Sequence, residues 1–222
     1  MSSVTIKKDL SRETEKRVGH GHGHGHVCGG IAGARCFRRG DCDFCDATLP
    51  SAAMAEMRVE HVFKCSEETF WTKVFFDDEY NRRLFLETLK FPVWRVSKTE
   101  ERGDEVSRTI VASPPVGDLP GPLKAVVGEN AGYEERGVFD KKTRRYRVQV
   151  VPNRMADKIS VNVEMWTEPM GDAQCKRIAR ATATAKIFGV GGLLEKKLLG
   201  DLERSYEKSA AFTNTFVGEK GL

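Results

Sequence analysis

The amino-acid sequence predicts an α+β domain in which a curved antiparallel β-sheet wraps around one long C-terminal helix. Residues 174–187 (QCKRIARATATAKI) alternate strictly between two faces, as a β-strand does. The glycine-rich segment FGVGG at residues 188–192 then breaks the strand. Beyond it, side chains recur every three or four residues with the period of an amphipathic helix: Leu194, Leu198, Leu202, Tyr206, Ala210 and Thr213.

The first element of the domain is predicted to be a strand that starts at residue 57. Its buried face would carry Met57, Val59, His61, Phe63 and Cys65. Ser66 then suits a helix N-cap, and Glu67 and Glu68 complement the dipole of the first turn. Asp77 and Asp78 interrupt this helix and begin a second short one.

Alternation and turn residues predict six further strands after the two short helices. Their ranges are 93–100, 105–113, 133–139, 144–151, 159–167 and 175–187. The connections around residues 102–104, 140–142 and 170–172 are short and polar, which favours hairpins between consecutive strands. The order of elements is therefore strand, two helices, a meander of strands, and the long helix.

Length and charge limit the classes of protein that the chain can represent. Its 222 residues suffice for one domain of ordinary size and a tail. The net charge of +4 comes from interspersed acidic and basic residues, so a nucleic-acid partner is not expected. No apolar run approaches the roughly eighteen residues of a membrane span, and we expect a cytoplasmic protein. Transient membrane contact and the oligomeric state are left open.

The composition changes sharply near residue 56. Residues 1–56 hold the histidines at positions 20, 22, 24 and 26 and the cysteines at positions 28, 36, 42 and 45, with little apolar periodicity. Such a segment cannot bury enough surface to offset its ordering entropy, so we interpret it as a disordered tail. A translated leader is the alternative. The folded domain is expected at residues 57–217, with a short C-terminal tail at residues 218–222.

The histidines and cysteines of the tail also raise the hypothesis of a metal site. Imidazole and thiolate groups bind zinc, nickel and copper, and Cys42 and Cys45 form a C-x-x-C pair. No second C-x-x-C pair and no His-x-x-x-His pair follows at the spacing typical of zinc fingers. We therefore predict neither a structured metal site nor a cofactor.

Three segments of the chain resemble those of a known superfamily. They are HVFKCSEETFWTKVFFDDEYNRRLF near the start of the domain, LPGPLKAVVGENAGYEERGVFD in the middle, and AKIFGVGGLLEKKLLGDLERSYEKSAAFTNTF at the end. They are similar to the START-like helix-grip superfamily, also called SRPBCC, and most of all to a bacterial domain-of-unknown-function family within it. The resemblance spans residues 57 to about 217. It implies a helix-grip fold with a cavity and names no ligand.

The alternating strand suggests where a ligand would lie. One of its faces carries small side chains at four alternate positions, Ala179, Ala181, Ala183 and Ala185. We expect this face to leave room between sheet and helix, and room in an otherwise apolar core is where a small molecule binds. The opposite wall would come from Leu198, Leu202 and Tyr206 of the helix.

Two polar residues on inward faces are candidate ligand contacts. His61 lies on the apolar face of the first strand, but its spacing marks no catalytic partner, and a core role is the alternative. Arg108 is in phase with apolar neighbours and could meet the headgroup of an amphipathic ligand. Its alternatives are an exposed strand end or an ion pair with Glu135. Arg177 lies on the alanine face of the last strand and is a further candidate for contact with a ligand headgroup. Its alternative is a position at the rim, because it is close to the start of the strand.

The segment LPGPLKAVVG at residues 119–128 is a candidate gate for the cavity. It joins two strands with more length than a hairpin needs, and it combines turn residues with a short apolar stretch. Leu123, Val126 and Val127 would cover the opening, while Lys124 would face solvent. A plain surface loop is the alternative.

Together these features predict binding or transport of a hydrophobic or amphipathic small molecule, lipid-like or polyketide-like. A dinucleotide-binding glycine motif, a phosphate-binding loop and a nucleophile elbow are all absent from the sequence. We therefore assign no catalytic residue. The competing classes are a cyclase or aromatase on the same fold and a module that regulates a protein partner.

Overall fold

The computed structural model of the protein describes residues 55–115, 120–128 and 130–222. These residues contain seven strands in one antiparallel sheet, with the spatial order β1-β7-β6-β5-β4-β3-β2. The strands are β1 Ala55–Phe63, β2 Val93–Arg102, β3 Glu105–Ser113, β4 Tyr133–Asp140, β5 Arg145–Pro152, β6 Ile159–Pro169 and β7 Cys175–Ala185. The predicted fold class and order of elements are confirmed.

Strand pairing follows the predicted meander from β2 to β7. Strand β1 pairs with β7 instead of β2, and Met57 lies opposite Ala181 in this register. The two short helices after β1 carry the chain across to the far edge of the sheet, where β2 begins. The sheet therefore has β1 and β2 as its edges.

The two short helical segments both begin at the predicted caps. Helix α1 (Glu67–Thr69) continues as a π-helical turn over Phe70–Phe75, and α2 (Asp78–Arg82) continues similarly over Arg83–Thr88. The Ser66 hydroxyl accepts a hydrogen bond from the Thr69 amide at 3.1 Å. The Asp77 carboxylate accepts one from the Tyr80 amide at 2.7 Å. Each cap satisfies an amide that the first helical turn leaves free.

Two further helices complete the described chain, α3 (Gly121–Val127) and α4 (Gly191–Lys220). Helix α4 ends at Gly221, whose φ of 64° is the left-handed conformation typical of a helix C-cap. Residues 218–220, which we expected in a short tail, therefore form its last turn. At the other boundary, β1 begins two residues before the expected start of the domain.

The main core lies where α4 packs across β1 and β7. Aromatic side chains from the short helices also pack in this core. Phe70 stacks on Phe63 at 5.0 Å between ring centroids, and Trp71 stacks on Phe139 at 4.4 Å. The Trp71 indole donates to the Thr167 hydroxyl at 2.7 Å, so this buried polar group is satisfied.

The tail and its histidine and cysteine cluster lie outside the described residues, so both remain predictions. Within the described part, no group of three or more histidine, cysteine, aspartate or glutamate side chains could hold a metal ion. None of the described helices is long and apolar enough to cross a membrane.

Candidate functional site

A cavity of about 540 Å³ lies between the sheet, α3 and the first half of α4. Its walls are mainly apolar and come from β4, β5 and β6, from both helices, and from the segment after α2. The apolar lining residues are Leu89, Phe91, Val126, Val127, Val150, Ile159, Val161, Leu194 and Leu198. Val127 and Leu198 are the two predicted ligand-contact residues that the structure places on this surface.

The four alanines of β7 lie elsewhere, and the structure corrects the expectation that they line the cavity. All four are buried, and three of them belong to the main core beneath α4. Their small side chains let the helix approach the sheet closely, so the space that they leave is filled by helix side chains. The cavity opens instead over β4–β6, against which α4 does not pack closely.

Three other predicted contacts also lie off the cavity surface. Leu202 and Tyr206 are partly buried and pack against the main core. Leu123 is fully buried and packs with Ala185 and Leu194 in a second cluster at the start of α4. Of the predicted gate, Val126 and Val127 reach the cavity, whereas Leu123 anchors α3 to the core.

The mouth of the cavity carries charged side chains from α4. Asp201 accepts a hydrogen bond from the Lys197 amine at 2.6 Å and also contacts the Arg204 guanidinium. Arg154 and Lys208 add two more cations to the lining. The mouth is therefore polar and carries more positive than negative charge.

Arg108 lies on the inner face of β3, as its phase predicted, and only 5% of it is exposed. Its guanidinium carbon lies 4.9 Å from the ring centroid of Phe75, 5.2 Å from that of Phe76 and 5.6 Å from that of Tyr146. Such distances are those of cation–π contacts. The Nε atom has no hydrogen-bond acceptor among the described residues. Arg108 is therefore buried among aromatic rings and does not extend into solvent.

Glu135 and Tyr146 stand beside this arginine. The Tyr146 hydroxyl donates to Glu135 Oε1 at 3.3 Å. Burial raises the pKa of the Glu135 carboxyl, and the Arg108 charge and the Tyr146 hydroxyl only partly oppose it. Burial, followed by the Glu135 charge, also raises the pKa of Tyr146. No ion pair joins Arg108 to Glu135 in the described structure, so the predicted alternative of a direct salt bridge is wrong.

Gly137 explains how Tyr146 reaches Glu135. The register places Gly137 opposite Arg108 on one side and Val148 on the other. A Cβ atom at this glycine would lie 1.8 Å from the Tyr146 hydroxyl oxygen. The phenol therefore lies across the strand in space that only glycine leaves free. A glycine inside a predicted strand was the one sequence signal for this arrangement.

His61 and Arg177 belong to a separate network that joins β1, β7 and α4. His61 Nδ1 lies 3.1 Å from Arg177 Nη2, which also donates to the Tyr206 carbonyl at 3.2 Å. Arg177 Nη1 donates to the Ser209 hydroxyl at 3.1 Å. Burial and then the Arg177 charge lower the pKa of His61, against the opposing effect of Glu207. Neither residue lines the cavity, and Arg177, expected near the rim, is 4% exposed.

A family model described as "Protein of unknown function (DUF2505)" matches residues 58–217. The chain belongs to this family. The predicted resemblance to a domain-of-unknown-function family is confirmed. Comparison of the DUF2505 chain with curated protein sequences found no match.

Several solved structures share the fold of this DUF2505 protein. Norcoclaurine synthase from Thalictrum flavum is 14% identical, with 75% of this chain and 87% of that chain aligned at a TM-score of 0.53. The ZhuI aromatase/cyclase from Streptomyces sp. R1128 is 9% identical, with coverages of 76% and 96% and a TM-score of 0.53. TTHA0849 from Thermus thermophilus is 17% identical, with coverages of 76% and 100% and a TM-score of 0.52. At these identities the likeness establishes the helix-grip fold alone.

Proposed function

We propose that this DUF2505 protein binds a hydrophobic or amphipathic small molecule, lipid-like or polyketide-like, between its sheet and C-terminal helix. The observation that carries the proposal is the cavity of about 540 Å³ with aliphatic and aromatic walls and a charged mouth. Pockets for small molecules are typically about 300 to 1,000 Å³ and mostly apolar, with few polar groups. A regulatory module that binds only a protein would not need this internal space.

Comparison of folds supports the proposal only by analogy. The similar structures include one protein named norcoclaurine synthase and one named aromatase/cyclase, so the same architecture occurs in chains named as enzymes. Function depends on the residues of each site, and these are not shared at such low identity.

A cyclase-type enzyme is the second candidate, and one observation favours it. Glu135 and Tyr146 are hydrogen-bonded on the inner face, and burial raises the pKa of both groups. A carboxyl group held neutral near a phenol can act as a general acid. Cyclisation with loss of water would appear as a decrease in the mass of the bound molecule, which Glu135→Gln abolishes while binding persists.

Titration with the neutral fluorescent probe N-phenyl-1-naphthylamine tests the binding proposal. Leu198→Trp should fill the cavity and weaken probe binding about tenfold or more, since a lost apolar contact of this size costs over 1.4 kcal/mol. Leu193→Trp is the matched control, because Leu193 lies on the same helix but is 49% exposed. We expect wild-type affinity from this control.

Two results would overturn the proposal. The first is a wild-type protein that does not bind the probe. The second is an equal affinity of the probe for wild type and both variants, provided that circular dichroism shows all three to be folded.

A further inference from the structure

The inner face of the sheet holds a buried positive charge that makes no ion pair among the described residues. Arg108 is 5% exposed, three aromatic rings surround it, and its Nε–H group has no acceptor within the described chain. Burying a cation without a paired anion is costly, and buried charges in proteins are normally paired. Arg177 Nε likewise has no acceptor among the described residues, but the two terminal nitrogens of Arg177 reach three partners.

Glu135 does not supply the missing anion. Its carboxylate makes no ion pair with Arg108, and its one hydrogen bond among the described residues comes from the Tyr146 hydroxyl at 3.3 Å. Burial favours the neutral form of this carboxyl group. A protonated carboxyl group can donate a hydrogen bond. Glu135 lies on the same face as Arg108, because Gly137, the cross-strand partner of Arg108, is two residues further along β4.

Strand β4 connects this group to the cavity. Tyr133, which lines the cavity, and Glu135 are alternate residues of β4 and therefore lie on the same face. Both are only half-buried although they lie on the inner face of the sheet. Val150, the cross-strand partner of Glu135 on β5, also lines the cavity, whereas Arg108, Glu135 and Tyr146 are not themselves among the lining residues.

We propose that Arg108, Glu135 and Tyr146 form a subsite for an acidic oxygen, a carboxylate or an acidic phenol or enol, on an otherwise apolar ligand. This inference rests on the proposed function. The acidic oxygen accepts hydrogen bonds from Arg108 Nε and from the Glu135 carboxyl group. Its apolar body extends along Val150 and Leu198 toward the mouth.

The alternative is a ligand that binds in the opposite direction. Arg154 and Lys208 at the mouth could hold the acidic group, and the apolar body would then point inward. The test therefore needs ligands that differ only in the acidic group, and variants at both ends of the cavity.

Displacement of N-phenyl-1-naphthylamine by decanoic acid and by decanol provides the first comparison. We expect full-length wild-type protein to bind the acid about tenfold or more tightly than the alcohol, since a hydrogen bond to a charged group is worth about 1.5 to 3 kcal/mol. Arg108→Met should abolish this preference and leave decanol affinity within about twofold. A second pair, 2-naphthoic acid and naphthalene, asks whether the apolar body is a chain or an aromatic ring system. A preference for the acid in either pair supports the subsite.

The mouth variants Arg154→Met and Lys208→Met are the controls and should keep the preference for the acid. If they lose it while Arg108→Met keeps it, or if wild type shows no preference in either pair, the subsite is wrong. Failure of the neutral probe to bind would instead count against the proposed function itself. The two failures are therefore distinguishable.

A measurement on the wild-type protein covers the case in which Arg108→Met does not fold. Nuclear Overhauser contacts between the C2 protons of bound decanoic acid and the rings of Phe75 and Tyr146 are expected. Contacts from the same protons to the side chains of Arg154 and Lys208 would overturn the proposed orientation.

Discussion

Arg108 and Arg177 are both buried arginines on the inner face of the sheet, yet their surroundings differ. Arg177 donates to Ser209, to the Tyr206 carbonyl and to His61, and it stacks between the rings of Phe63 and Tyr206. These contacts hold α4 against β1 and β7. Neither arginine has an acceptor for its Nε atom within the described residues, but the guanidinium of Arg108 is surrounded by aromatic rings without the polar partners that Arg177 has. We therefore interpret Arg177 as structural, and the ligand contact of Arg108 stays a proposal.

Glu135 should make the stability of the protein depend on pH. Burial raises its pKa in the folded state, so its contribution to stability is present below the ordinary glutamate pKa and is lost as pH rises through the folded value. Glu135→Gln should remove this loss and make the protein more stable than wild type at pH 8. Urea unfolding between pH 5 and pH 8 measures the difference.

Glu134→Gln is the control for this experiment, because Glu134 lies on the opposite face and pairs with Arg136 at 2.6 Å. We expect it to keep the wild-type dependence on pH. A Glu135→Gln variant whose stability changes with pH as much as that of wild type would contradict the assignment.

Gly137 should not tolerate a larger residue. The added methyl group of Gly137→Ala would lie 1.8 Å from the Tyr146 hydroxyl oxygen and 2.2 Å from the ring carbon that carries it. Moving the phenol should cost about 1 to 3 kcal/mol of unfolding free energy and should break its hydrogen bond to Glu135. Gly218→Ala in α4 has no atom within 4 Å of the new methyl group and should be neutral or stabilising by up to about 1 kcal/mol. Equal stability of the two variants would be inconsistent with this geometry.

The positions of single residues could be predicted only where a local sequence pattern determines them. The phase of Arg108 along its strand correctly placed it on the inner face. The acceptors of Arg177 could not be predicted, because Ser209 and His61 lie 32 and 116 residues away in sequence and no spacing rule links them. The placement of Tyr146 against Glu135 likewise depends on the register of β4 and β5.

The elements themselves were predictable because their signals are local. Alternation defines the strands, Ser66 and Asp77 define the caps, and glycines separate β7 from α4. The distance between packed elements is not local. It depends on which side chains fill the interface, so the sequence suggested empty space above the alanines where the structure has close packing.

The close packing of α4 on the alanines of β7 can be tested by enlarging one of these side chains. Ala181→Leu should cost about 1 to 3 kcal/mol, because α4 leaves no room for the larger side chain. Thr182→Leu, on the outer face of the same strand, should have a smaller effect. Chemical denaturation measures both. If Ala181→Leu retains wild-type stability and loses probe binding, the cavity lies over β7 after all.

Helix α3 should respond to ligand, because Val126 and Val127 line the cavity while Leu123 fixes the helix to the core. Whether α3 opens and closes stays a prediction. Bound N-phenyl-1-naphthylamine should slow amide hydrogen exchange across residues 121–128. Unchanged exchange there, with protection in β5 and β6, would leave the cavity in place and remove the gate.

At the level of the whole molecule, the order of elements determines the architecture. One strand, two short helices, a six-strand meander and a long helix leave few arrangements in which every apolar face is buried. The helix-grip fold follows from this order. The position of the cavity does not, because it depends on which strands α4 covers, and that is set by the sizes of side chains across the whole sheet.

The folded domain and the family match cover nearly the same residues, but the domain is slightly longer at both ends. The match spans residues 58–217, whereas β1 starts at Ala55 and α4 reaches Lys220. Variants designed to isolate the domain should therefore keep residues 55–222. The disordered tail remains a prediction.

Methyl chemical shifts on addition of N-phenyl-1-naphthylamine test most directly whether a small molecule occupies the cavity. In protein labelled at its isoleucine, leucine and valine methyl groups, the resonances of Val127, Val161 and Leu198 should shift and saturate at one equivalent of probe. Those of the exposed residues Val138 and Leu193 should stay in place. Shifts confined to exposed methyl groups, or none at the cavity walls when the probe is saturating, would contradict the proposed site.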